Sequence, residues 1–162
     1  MKSNATAFLI KIKLRHSLGR PSRSDFVQSE FAEDIDMKYK YMRIQGREDS
    51  YVTNYPKGVF SLCWNLIRDN ILKETEKELF ISIDEWFKVN LPEPEPCINH
   101  EKVITFFKCE STEEMLSKLE PAIALLDKYE KAYDVVYTNF VGTIVYEDNW
   151  QVAVKVENGR MV

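Results

Sequence analysis

Histidine, glycine and cysteine are all scarce in this chain, which carries two histidines (His16, His100), five glycines and three cysteines in 162 residues. Each scarcity excludes something. Gly19, Gly46, Gly58, Gly142 and Gly159 stand alone, so neither a phosphate-cradling loop nor a dinucleotide fingerprint can form. Cys63, Cys97 and Cys109 are odd in number and lack paired spacing, which argues against a disulfide framework and for reduced thiols in the cytoplasm. Long apolar runs are missing as well. Ala7–Ile10 is cut short by Lys11 and Lys13, too early for a secretory core or a membrane span. Basic charge is in deficit, with 22 Lys and Arg against 26 Asp and Glu, so direct nucleic-acid binding is not expected. The run that holds Lys13, Arg15, Arg20 and Arg23 is followed at once by Asp25, Glu30, Glu33, Asp34 and Asp36.

Apolar and aromatic residues are plentiful. The chain is 44% hydrophobic, with eight Tyr, nine Phe and three Trp, enough for one core and a single domain over residues 1–162. Ala5–His16 alternates apolar and basic residues at the period of a half-buried strand. Ser24 can cap a short helix carrying Val27, Phe31 and Ile35. Met37–Gln45 alternates again, with an exit loop over Gly46–Ser50. The run Gly58–Leu66 reads as a strand, although period alone does not separate strand from helix there. Leu79–Ile83 reads as a further strand, with Ser82 and Glu85 as a capping box for a short helix through Trp86, Phe87 and Val89.

Pro92, Glu93, Pro94, Glu95 and Pro96 predict an exposed, extended connector. A strand follows at Val103–Cys109. Ser111 or Thr112 caps the longest helix, with Glu113 and Glu114 in its first turn and a buried stripe of Met115, Leu119, Ile123, Leu126, Tyr129 and Tyr133. Pro121 is expected to kink or break it. Val135–Tyr146 and Trp150–Val156 form a hairpin about Glu147, Asp148 and Asn149, and residues 157–162 read as a loose tail. Strands joined by hairpins and interleaved helices predict an α+β fold, a mainly antiparallel sheet with one long helix and short helices packed on it.

No catalytic or metal constellation assembles from these residues. Cys97 and His100 have metal-site spacing, but a structural zinc wants four ligands, and beyond Cys109 only His16 and the distant Cys63 remain. A cysteine nucleophile needs a base and an electropositive setting; Cys63 and Cys109 sit in apolar runs where packing is the plainer role. Asp84 with Glu85, and Glu147 with Asp148, are adjacent acids of the kind used in paired-carboxylate chemistry, yet neighbours on a strand face opposite sides and turn acids are usually solvated. No metal and no cofactor are expected.

The layout resembles the immunity proteins of bacterial polymorphic toxin and contact-dependent inhibition systems. The features that carry the likeness are the alternating first strand, a strand after Tyr55-Pro56-Lys57-Gly58, the segment Ile83-Asp84-Glu85-Trp86, and the closing hairpin at Glu147-Asp148-Asn149-Trp150. The resemblance implies a non-enzymatic inhibitor that binds a cognate toxin domain, often a nuclease, in the cytoplasm of the producing cell. A basic partner would meet acids, and Glu33, Asp34, Asp36, Glu147 and Asp148 are the expected contacts. Two other readings stay open: a small enzyme or ligand-binding domain whose pocket of Tyr, Trp and carboxylates has no sequence motif, and an adaptor that pairs through an exposed strand edge.

Overall fold

In the computed structural model, which describes residues 38–162, alternation and helical spacing resolve into seven strands and four helices among those residues. In chain order they are β1 (Tyr41–Asp49), β2 (Pro56–Gly58), α1 (Val59–Arg68), α2 (Glu74–Asn90), α3 (Glu95–Ile98), β3 (Val103–Lys108), a 3₁₀ turn (Cys109–Ser111), α4 (Glu113–Lys128), β4 (Tyr133–Thr138), β5 (Ile144–Glu147), β6 (Gln151–Glu157) and β7 (Arg160–Met161). The strand expected at Ala5–His16 and the helix expected after Ser24 lie outside the described residues.

Every strand pairing is antiparallel, and the sheet curls, which makes the fold α+β. Across it the order is β4, β1, β3, β6, β5. Strand β1 is the pivot. One edge pairs with β4 from Tyr41↔Thr138 to Gly46↔Tyr133. Its other edge changes partner: Tyr41 and Met42 face Lys108 and Phe107 of β3, whereas Gln45 and Asp49 face Gly58 and Pro56 of β2. The β1–β3 ladder therefore stops before Ile44 could meet Thr105, and the sheet forks at Arg43 and Ile44.

Alternation along the strands sorts side chains into two cores. Met42, Ile44 and Phe107 join Leu62, Cys63 and Leu66 of α1, Phe80 and Phe87 of α2, and Met115, Leu119 and Leu126 of α4 beneath the helices. Ile104 and Phe106 point the other way, to Val152, Val154 and Val156 of β6, with Val141, Tyr41 and Tyr55 closing over them. Arg43 sits between Met42 and Ile44 in sequence and so leaves the helical core for the second face.

Several expectations need correction. Of the strand expected at Gly58–Leu66 only Gly58 is strand, closing β2; Val59–Leu66 is helix, with Val59, Leu62, Cys63 and Leu66 buried at i, i+3, i+4 and i+7. Leu79–Ile83 is likewise the middle of α2, and Ser82 caps nothing, since its hydroxyl donates to the Leu79 carbonyl one turn back. There are consequently two long helices rather than one, α2 with 17 residues and α4 with 16. Pro121 breaks neither; α4 runs through it with Leu119 and Ala122 buried on either side. Strand β1 continues to Asp49 through the expected exit loop. The proline connector is exposed only in part, because Pro94 and Pro96 are buried and Glu95 opens α3.

The expected hairpin exists between β5 and β6, but its first arm is split, and β4 leaves to pair with β1. The tail is not loose. Asn158 and Gly159, both at positive φ, form a two-residue turn that brings β7 onto the end of β6. A Cβ on Gly159 would lie 2.6 Å from the Asn54 carbonyl oxygen, so the turn rests on the loop between β1 and β2.

Helix α2 is fastened to α4 at Glu76. Its carboxylate accepts from the Lys128 ammonium, from the Tyr129 hydroxyl at 2.5 Å and from the Lys73 backbone N–H at 2.9 Å. Led by the Lys128 contact, these donors hold the carboxyl down at about 2, against its usual 4.5. A carboxylate depressed in the fold stabilises it fully above its unfolded range and loses that contribution as pH falls towards the folded value. Urea midpoints should therefore fall between about pH 4.5 and pH 2, and Glu76→Gln should flatten that decline. Equal declines in both proteins would remove Glu76 as the cause.

Candidate functional site

The fork in the sheet opens into a cleft of about 510 Å³. Its floor is Arg43 and Ile44 of β1 with Ile104–Phe107 of β3, the strand edge that β1 abandons. One wall is the first turn of α1, Val59–Ser61. The other is the end of α2 and the segment after it, with Phe87, Lys88 and Leu91–Pro94. Aromatic packing firms the helical side: Phe60 meets Phe87 edge to face at 5.0 Å, and Phe87 meets Trp86 at 5.1 Å. Gln151 anchors the segment after α2 by donating from Nε2 to the Pro92 carbonyl at 2.9 Å.

Arg43 is the unusual member of this lining. The residue is 7% exposed. Its Nη1 donates to Gln45 Oε1 at 2.8 Å, and the guanidinium carbon lies 5.5 Å from the centre of the Tyr55 ring. Among the described residues no carboxylate pairs with it. Burial pulls the guanidinium down to about 10, with Tyr55 acting in the opposite direction, so at neutral pH it remains a cation.

A Cβ on Gly58, the residue before α1, would lie 3.4 Å from Arg43 Nη2, which places the guanidinium at the amino end of that helix. Helix α1 has no acid in its first turn and no side-chain cap. Its free N–H groups carry partial positive charge. A cation and the positive end of a helix thus share one half-enclosed space, an arrangement that favours an anion between them.

The other cations of the cleft are already matched. Lys57 meets Glu48 at 3.3 Å, and Lys88 meets the buried Asp84 at 2.6 Å. Cys97 also lines the cleft, but burial, together with Glu93 and Glu101, pushes its thiol up to about 11. It is therefore a neutral thiol at pH 7. His100 is exposed at the end of α3 and is not part of the lining. Cys63 is deeper still, its thiol pushed up to about 12 by burial and its Sγ 3.8 Å from the Ala122 carbonyl oxygen. Among the described residues no three His, Cys, Asp or Glu side chains converge on a metal position, and no helix is long and apolar enough to cross a membrane.

Of the acids expected to face a partner, Glu33, Asp34 and Asp36 lie outside the described residues. Glu147 and Asp148 stand side by side at the β5–β6 turn and are not part of the cleft lining, although Asp148 touches Gln151, which is. Glu147 is exposed and pairs with Lys108 at 2.7 Å. Asp148 organises the turn: it accepts from the backbone N–H groups of Trp150 at 2.7 Å and Gln151 at 2.9 Å, from Gln151 Nε2 at 3.2 Å and from the Tyr146 hydroxyl at 3.0 Å. Burial pushes this carboxyl up, but the Trp150 and Gln151 donors outweigh it and hold it below its usual range. Asp148→Ala should cost about 1–2 kcal/mol by stranding those donors. An unchanged thermal midpoint would show that the turn holds without it.

Sequence reading missed Arg43 and the amino end of α1. The aromatic residues lining the cleft are Phe60, Phe87, Phe106 and Phe107, not the Tyr and Trp of the motifless pocket weighed from the sequence. Comparison with protein-family models, with characterised proteins and with solved structures finds no match, so function is argued from the site itself.

Proposed function

We propose that this protein is a binding protein whose ligand presents an anionic group to Arg43 in the cleft at the sheet fork. The observation that carries the reading is a guanidinium buried at the amino end of α1 without a carboxylate partner among the described residues. Burying an ion costs several kcal/mol, and Gln45 with the Tyr55 ring offsets only part of that. Such a group persists in a fold where something uses it. Catalysis is the weaker reading, because the thiol in the cleft is neutral, kept protonated by burial and by its charged neighbours Glu93 and Glu101. The toxin-inhibitor reading rests on the layout resemblance and on acids of which the described residues include only Glu147 and Asp148, each already engaged within the chain.

The test is thermal unfolding in low-salt buffer with added inorganic phosphate or hexanoate. Anion binding raises the midpoint of the wild-type chain, while Arg43→Met, of similar length but uncharged, shows no rise. An equal rise in the variant, or none in either protein, overturns the assignment.

A further inference from the structure

Resting on that anion-binding reading, we infer that the ligand is a monocarboxylate with an apolar body. The charge of the cleft sets the first limit. Lys57 and Lys88 are neutralised by Glu48 and Asp84, which leaves Arg43 as the one unmatched cation of the lining among the described residues. Glu93 adds a negative charge to the same wall. A dianionic phosphate would face one unmatched guanidinium with Glu93 on the same wall, so it would keep an unmatched charge in a half-enclosed space. One carboxylate balances Arg43 and fits the planar donor fork that Gln45 leaves partly free.

The walls set the second limit. Beyond Arg43 the space is bounded by Phe60, Phe87, Leu91, Ile104 and Phe106, with no glycine-rich turn of the kind that cradles phosphate. A volume of about 510 Å³ is that of a small-molecule site and far exceeds one carboxylate. The remainder of the ligand therefore lies against apolar surface.

Titration calorimetry on the full chain tests this with acetate, hexanoate, hexanamide and inorganic phosphate. Each buried methylene should tighten binding roughly threefold to fourfold, so hexanoate should exceed acetate by on the order of a hundredfold. Hexanamide, of the same shape without the charge, should be weakened at least as much, and Arg43→Met should lose the hexanoate signal. Arg43→Lys, which keeps the charge but not the fork, should retain a weaker signal and guards against a misfolded Met variant. Acetyl-Leu-Phe with a free terminal carboxylate is the other source of this chemistry; whichever of it and hexanoate binds more tightly identifies the source, and either supports the class. Phosphate binding more tightly than hexanoate, in an Arg43-dependent manner, overturns the carboxylate and leaves the anion site standing. If no anion binds, or hexanamide equals hexanoate, both fall.

Discussion

Phe80→Ala should lower the stability of this protein by about 3–5 kcal/mol, the range for deleting a buried aromatic ring. Phe80 is fully buried at the middle of α2, and the Trp64 ring of α1 packs edge-on against it at 5.4 Å. The ring joins α1 and α2 to the core that α4 also faces. Its removal would leave a cavity that neighbouring helices, themselves tied to the sheet, cannot fill without moving. The loss is a large share of the ~5–15 kcal/mol that stabilises a typical domain, so Phe80→Leu is the companion variant, keeping most of the volume at a fraction of the cost. Denaturant midpoints measure both, and the emission of Trp64 should change in Phe80→Ala. A loss under about 1 kcal/mol would mean that the site collapses freely, contrary to close packing.

Arg43→Met should move stability the other way, raising it by about 1–3 kcal/mol in the absence of ligand. Removing an ion from a buried position relieves its desolvation, and an apolar side chain of similar length fills the same space. The hydrogen bond that Arg43 donates to Gln45 and the contact with the Tyr55 ring are lost, which trims the gain. A stability gain coupled to loss of binding is the mark of a group kept for function. Urea unfolding of both proteins without added anion decides the matter. A less stable Arg43→Met would show that the fold already compensates the cation, and the argument for a ligand anion would go with it.

The sequence made local features legible where period and punctuation agreed. Strand β3 was visible in its Ile and Phe run, α4 in its helical stripe and opening acids, and the β5–β6 turn in Glu147-Asp148-Asn149. Helix α1 was misread because Phe60 and Ile67, partly buried, widen its apolar stripe until the run looks continuous. The α2 error had a similar source: a short apolar stretch inside a long helix carries no boundary, and Ser82 suggested one that its bond to Leu79 denies. The final turn was legible in Asn158-Gly159, the strongest short signal for a two-residue hairpin, and was passed over because the surrounding residues are polar.

Non-local features left no such trace. The pairing of β4 with β1 rather than with β6 joins residues far apart in sequence, from Gly46↔Tyr133 to Tyr41↔Thr138. Nothing in the alternation of Met37–Gln45 singles out Arg43. Gln45, Tyr55 and Gly58, brought beside it by the β1–β2 pairing, enclose it, and the change of partner along β1 opens a cleft next to it.

The contact between Gly159 and Asn54 also bears on biosynthesis. The loop that carries Asn54 borders the cleft through Ser50 and Thr53, and the turn that rests on it is translated after every other described element except β7. Before β6 and that turn are made, the helical core can begin to assemble, but the rim of the cleft has no support on that side. The rim of the cleft is therefore completed only after the other described elements except β7 have been made, and a nascent chain can begin to fold well before that rim is set.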